Sequence, residues 1–182
     1  RVFMKYLRKY ILLFSISGII IILDQLTKFW VKNELAMGES WAPWTRLSSI
    51  VRIVNWHNSG AAFGLFQQGG PIFAVLAVIV AIVIIYYFPK VHESEKLVQI
   101  ALAMQLAGSI GNLIDRLTQG FVTDFISIGN FPVFNVADSS ITVGVGFLLL
   151  GVWVEERKQK KSKDLHSQNS QENQPHEERE QS

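Results

Sequence analysis

The chain has 182 residues, of which 49% are hydrophobic, 18% charged and none cysteine, and its formal net charge is +2. Without cysteine it has no disulfides, thiolate nucleophiles or Cys-ligated zinc or iron–sulfur sites, and no basic-groove or stacking motif points to nucleic acid as a partner. Residues 155–182 carry 13 of the 32 Lys, Arg, Asp and Glu side chains, so a mean hydropathy of only +0.24 conceals long apolar runs in the rest of the chain.

A helix needs roughly 20 mostly apolar residues to cross a bilayer, and four segments qualify. The first runs from about Tyr10 to Trp30. Lys5, Arg8 and Lys9 before it imitate a signal peptide, but Asp24-Gln25 follows where a small-residue cleavage site belongs, so it reads as an uncleaved anchor. A loop of about Val31–Gly70 comes next, and within it the β-branched and aromatic residues of Ser49–Trp56 predict a short strand. The second span, Pro71–Phe88, has no charge. The third, Leu97–Ile114, is rich in small residues; Ala107, Gly108, Ser109 and Gly111 allow a neighbouring helix to approach closely. The loop Asp115–Asn135 contains a second predicted strand, Phe121–Ile128. The fourth span, Val136–Val154, is uncharged after Asp138. From Ser162 onward the chain is polar enough to predict disorder.

The expected fold is therefore an all-α membrane protein with four transmembrane helices, a small extracytoplasmic β-sheet and a disordered C-terminal tail. Residues 1–154 form the membrane domain and 155–182 the tail. Lys5, Arg8 and Lys9, then Lys90 and Lys96, then Arg157, Lys158, Lys160, Lys161 and Lys163 all belong to one side. The positive-inside rule makes that side, with both termini, cytoplasmic. The start at Arg1 rather than Met suggests a cloning or annotation remnant and leaves open whether Arg1–Phe3 are native.

The aspartates carry the functional signal. Before the tail there are four, Asp24, Asp115, Asp124 and Asp138, and threading the spans puts all of them at the outer end of the bundle. Carboxylates at membrane depth are costly and by default mark a functional site or a specific pairing. Each has a plainer reading. Asp24 and Lys28 are four apart on one helix face, Asp115 adjoins Arg116 at a helix end, and Asn135 and Asp138 have capping-box spacing. Asp124, in a strand, has the weakest structural excuse. Asn58, Asn112 and Asn135 occupy the same outer level.

Elimination narrows the chemistry. There is no H-E-x-x-H, and His57, His92, His166 and His176 lie outside the spans. The only lysine within a span, Lys28, is opposite Asp24, and no glycine-rich phosphate loop exists. A carboxylate pair remains. Close together, two such groups share a proton, so that one activates water while the other donates to the scissile group. Asp124 and Asp138 are the best pair, because the 14-residue connection with Gly129 and Pro132 can fold back.

Five strings occur in order: Asp24-Gln25-Leu26-Thr27-Lys28, Asn58-Ser59-Gly60-Ala61-Ala62-Phe63-Gly64, Gly111-Asn112-Leu113-Ile114-Asp115-Arg116, Val122-Thr123-Asp124-Phe125 and Phe134-Asn135-Val136-Ala137-Asp138-Ser139. Together they closely resemble the bacterial lipoprotein signal peptidase family (signal peptidase II) over roughly Leu13 to Val154. The resemblance implies a metal-independent aspartic peptidase of the bacterial plasma membrane without cofactor. Its substrate would be a diacylglyceryl-prolipoprotein, cleaved before the lipidated cysteine at the outer membrane–water interface. It implies Asp124 and Asp138 as the catalytic dyad, with Asn58, Asn112, Asp115, Arg116 and Asn135 positioning dyad and substrate. Asp24 and Lys28 would support the site, and the outer strands would cradle the substrate. Membrane lipid is the other expected partner, and a monomer is expected. A cation-coupled transporter would instead place acids near the midplane or on both sides, often with repeats, and a lipid-binding assembly factor would tolerate Asn at the aspartates.

Overall fold

The computed structural model describes residues 2–42, 44–60 and 69–172. Four helices contain the apolar spans: α1 (Val2–Glu34), α2 (Gly70–Tyr87), α3 (Lys96–Gln119) and α4 (Val136–Glu172). Each includes a stretch long and apolar enough to cross a bilayer, and a helix satisfies its own backbone there without water. Ile19, Ile22, Ile72, Ile82 and Leu149 stand exposed along these helices, as side chains facing lipid do. The chain is a multi-pass membrane protein.

Helix α3 is the spine of the bundle. Its span is 44% buried, against 17, 17 and 22% for α1, α2 and α4, and it packs on all three. The small residues are the cause. A methyl group at Gly108 would overlap the Ala137 carbonyl and Ile141, and one at Gly111 would come within 2.7 Å of an Asp24 carboxylate oxygen. On α4, Gly144 is less crowded but still tight, a methyl placed there lying 3.1 Å from the Ala101 carbonyl oxygen. Toward the other end of the bundle, Leu13, Ile84, Phe88, Ala103 and Leu106 form an apolar cluster.

Helix α3 ends at Gly120, whose left-handed φ of 81° lets its N–H return to the Arg116 carbonyl at 3.1 Å. The chain then enters a three-stranded antiparallel sheet of order β1 (Ser40–Trp41), β2 (Val51–Asn58) and β3 (Val122–Ile128). β2 and β3 lie within a few residues of the predicted strands, whereas the two-residue β1 has no alternating pattern to reveal it. Val31 and Leu35 at the end of α1 pack on Phe125, Ile53 and Ile126, so the sheet rests on the bundle. A bulge in β2 matters for the site. Val51 pairs with Ile128 and Ile53 with Ile126, but beyond the register shift Trp56 pairs with Asp124 and Asn58 with Val122. The extra residue advances β2 by one position and puts Asn58 on the face, and diagonal to the position, of Asp124.

Helix α4 departs from expectation at its far end. It continues to Glu172, through the first part of the segment whose composition predicts disorder; the remainder lies outside the described residues. Glu, Lys and Gln are good helix formers, and a helix already nucleated in the span extends at no further nucleation cost.

The packing predicts opposite outcomes at two glycines. Gly108→Ala should destabilise the protein by about 1–3 kcal/mol through overpacking. Gly146→Ala, where nothing lies within 4 Å, should be neutral or stabilising by up to about 1 kcal/mol. Thermal unfolding in one detergent compares them.

Candidate active site

Lys28 is the electrostatic hub. It lies on α1 well inside the span and is 1% exposed, as buried as its partners Asp24 (0%) and Asp115 (2%). Its ammonium contacts the Asp24 carboxylate at 2.8 Å and that of Asp115 at 3.1 Å, and donates to Asn112 Oδ1 at 3.1 Å. An ammonium has three protons and three acceptors surround this one. The sequence offered Arg116 as the partner of Asp115; the structure gives that role to Lys28, because α1 and α3 pack face to face through Gly111. Arg116 instead donates to the Asn112 carbonyl at 3.4 Å and lies over the Phe73 ring, 5.4 Å from its centroid.

Each supporting carboxylate also joins two elements. Asp24 accepts the Ala137 N–H at 2.9 Å, so a residue of α1 satisfies one of the unpaired amides that begin α4. Asp115 accepts the Thr123 N–H at 3.0 Å and fixes the start of β3 against α3. The Gln25 amide donates to Asp24, to the Gly111 carbonyl and to Asp115 at 3.1, 3.2 and 3.3 Å.

Asparagines carry this order onward to Asp124 and Asp138. Asp124 accepts from Asn58 Nδ2 at 2.9 Å and from Asn135 Nδ2 at 2.7 Å. Asp138 accepts from Asn112 Nδ2 at 2.7 Å. Asn135 and Asp138 also form the reciprocal cap expected from their spacing: Asn135 Oδ1 accepts the Asp138 N–H at 2.9 Å and Asp138 Oδ2 accepts the Asn135 N–H at 3.3 Å. Asn135 Nδ2 further bonds Asn112 Oδ1 at 3.1 Å, which closes the network on Lys28. The plain readings and the shared-site reading thus describe the same bonds.

Asp124 and Asp138 open on one cavity of about 690 Å³. Asn58, Asn112 and Arg116 border it beside the two carboxylates, and it continues as an apolar groove along Phe73, Leu76, Ala77 and Val80 of α2 and Ile141 and Val143 of α4. Burial, reinforced by the neighbouring charge of Asp138, pushes the Asp124 carboxyl up to about 7, against the hydrogen bonds from Asn58 and Asn135 and the charge of Lys28. A carboxyl so placed keeps its proton up to near neutral pH, which suits it to act as an acid toward a bound group.

All nine residues singled out in the sequence converge here: Asp24, Lys28, Asn58, Asn112, Asp115, Arg116, Asp124, Asn135 and Asp138. Of the second string, Ala61–Gly64 lie outside the described residues. Gln25, Thr123 and Phe73 went unnoticed as site residues. An amide next to an intramembrane aspartate could have betrayed Gln25, but the Thr123 contribution is a backbone N–H, which carries no side-chain signature. His57 stacks on Phe121 with ring centroids 3.8 Å apart; burial and then Lys32 lower its pKa, and it is not among the residues bordering the aspartate cavity.

Comparisons with known proteins identify the family. A family model described as signal peptidase (SPase) II matches residues 16–154. The lipoprotein signal peptidase of Halalkalibacterium halodurans is 41% identical over 155 residues, spanning 83% of this chain and 97% of its own. That of Streptococcus pyogenes serotype M1 is 41% identical over 147 residues, 79% of this chain and 95% of its own. A solved bacterial membrane enzyme superposes with a TM-score of 0.73 at 30% identity, covering 79% of this chain and 88% of that one. A second does so with a TM-score of 0.69 at 31% identity, covering 77% and 91%.

The raised Asp124 value makes stability depend on pH with a definite sign. Its contribution is fully present below the ordinary value of 3.8 and is lost as pH rises through about 7. The melting temperature should therefore fall across that window. Asp124→Asn should flatten the fall, by an amount equivalent to at most about 4 kcal/mol, in thermal melts recorded at successive pH values.

Proposed function

The chain belongs to the signal peptidase II family and is a membrane peptidase; from that premise we propose that it is an aspartic endopeptidase acting on diacylglyceryl-modified prolipoproteins. Asp124 and Asp138 are the catalytic dyad, and cleavage falls immediately before the lipidated cysteine. The observation that carries this reading is that both carboxylates border one cavity and are held there by amide donors from three elements: Asn58 of β2, Asn112 of α3 and Asn135 in the turn before α4.

The mechanism follows from a dyad with one proton. The ionised carboxylate removes a proton from water as the oxygen attacks the scissile carbonyl carbon. The protonated partner donates to the carbonyl oxygen, giving a neutral tetrahedral diol. The newly protonated carboxyl then gives its proton to the leaving nitrogen while the other carboxylate takes one from a diol hydroxyl, so that the C=O re-forms, the C–N bond breaks and the dyad again holds one proton. Asn58 and Asn135 fix Asp124, and Asn112 with the Asn135 N–H fixes Asp138, so little reorganisation accompanies the charge shift. Arg116 at the cavity wall lies near Asp138, Asp124 and Asp115 and is suited to steady the substrate backbone. Metal independence has its own support: Lys28 already occupies the position between Asp24 and Asp115 that a cation would take.

The apolar groove running from the dyad between α2 and α4 accommodates the acyl chains, while the modified cysteine meets the carboxylates near the membrane–water boundary. Lys9, Lys90, Lys96, Arg157 and Lys158 flank the other ends of the helices. The positive-inside rule therefore orients that end to the cytoplasm of a bacterial plasma membrane and the dyad to the outside.

With a diacylglyceryl prolipoprotein in reconstituted vesicles, Asp124→Asn and Asp138→Asn should each reduce the cleavage rate by about 10³-fold or more. A chelator should leave the wild-type rate unchanged. Near-normal cleavage by both variants would contradict the dyad, and loss of activity on chelation would contradict metal independence.

A further inference from the structure

The end of the bundle remote from the aspartates contains a second cavity, of about 740 Å³, between the first turns of α1 and the start of α3. Arg8, Lys9 and Lys96 bring three cations to its wall and Glu93 one carboxylate, and Met4 and Leu12 add apolar surface. Lys9 is buried. It donates to the carbonyl oxygens of Pro89, at 2.8 Å, and Val91. The connection between α2 and α3 thus pins its charge in place and leaves one ammonium proton for another acceptor. Arg8 and Lys96 are exposed and within reach of a ligand, Lys96 by giving up a long hydrogen bond to Gln99 Oε1 at 3.5 Å. Lys96 also opens α3, and Glu95 before it makes no side-chain cap, its carboxylate accepting instead from the His92 N–H at 2.7 Å. The start of the helix dipole therefore adds partial positive charge at the same end.

Depth identifies the ligand. Lys9 precedes the uncharged run Ile11–Leu23, and Lys96 precedes the apolar run beginning at Leu97. The cavity therefore sits where lipid headgroups meet acyl chains, and basic pockets at that level between transmembrane helices suit anionic headgroups. The apolar pair favours an amphiphile over a free ion.

We infer that this cavity binds the phosphodiester of an anionic glycerophospholipid in the leaflet at that end of the bundle, through Arg8, Lys96 and the remaining Lys9 proton. Met4 and Leu12 lie against its glycerol and first methylenes. The site is separate from the aspartates and does not depend on the peptidase reading.

Native mass spectrometry of the full-length protein in detergent, titrated with phosphatidylglycerol and phosphatidylcholine, tests the inference. The wild type should retain one phosphatidylglycerol in preference to phosphatidylcholine. Arg8→Gln/Lys96→Gln should weaken that binding about thirty-fold, roughly five-fold per cation, with the melting temperature and phosphatidylcholine retention unchanged. Equal retention of the two lipids by the wild type, or an undiminished preference in the variant, would overturn it. So would loss of the preference in Lys158→Gln/Lys160→Gln instead, which would assign the attraction to the basic stretch after the fourth span. Inorganic phosphate competing as well as phosphatidylglycerol would make the ligand a free anion and equally overturn the lipid assignment. The readout is binding, so neither the orientation of the bundle nor its peptidase activity affects the outcome.

Discussion

The buried charge of Lys28 is the constraint from which the rest of the site follows. An ammonium removed from water is tolerable only with acceptors on all its protons, and here Asp24, Asp115 and Asn112 supply them. Those acceptors need further donors, and the donors they find are the parts of the chain that form the site. Asp24 takes the first-turn amide of α4, Asp115 takes the Thr123 N–H near the start of β3, and Asn112 donates its side-chain amide to Asp138. Satisfying one charge therefore fixes the relative positions of α1, α3, β3 and α4. A buried ion pair adds little net stability for its desolvation cost; what this one contributes is a single geometry.

That geometry requires backbone proximity, and the small residues of α3 provide it. Gly108 and Gly111 bring Ala137 and Asp24 so near that no side chain fits between them. The chain is thus close-packed where the carboxylates meet, while α2 stays apart at the groove and leaves an apolar channel beside them. A polar site beside an apolar channel suits the half-peptide, half-lipid substrate proposed above.

Much of this was legible in the sequence because membranes impose strict rules. Runs such as Ile11–Leu23 and Pro71–Phe88 have one stable solution in lipid, and four aspartates on one side of the threaded spans point to a shared site. Other parts were not legible, for identifiable reasons. The β2 bulge that turns Asn58 toward Asp124 depends on how two strands pair, which no local pattern encodes. The choice of Lys28 rather than Arg116 for Asp115 depends on interhelical packing, not on adjacency in sequence. The helical stretch through Glu172 reflects continuation of an existing helix, whereas composition alone describes an isolated segment.

In the proposed mechanism Asp124 and Asp138 hold one proton between them. Infrared spectroscopy of the reconstituted protein reads protonated carboxyls directly. At a pH of about 5.5, where ordinary Asp and Glu are ionised, one protonated-carboxyl band should be present. It should fade as pH rises past about 7, to which Asp124 is pushed, be missing from Asp124→Asn, and titrate at lower pH in Asp138→Asn, where burial still raises Asp124 without the neighbouring charge. A spectrum without that band, or a band that persists unchanged in both variants, would contradict the shared proton and the mechanism built on it.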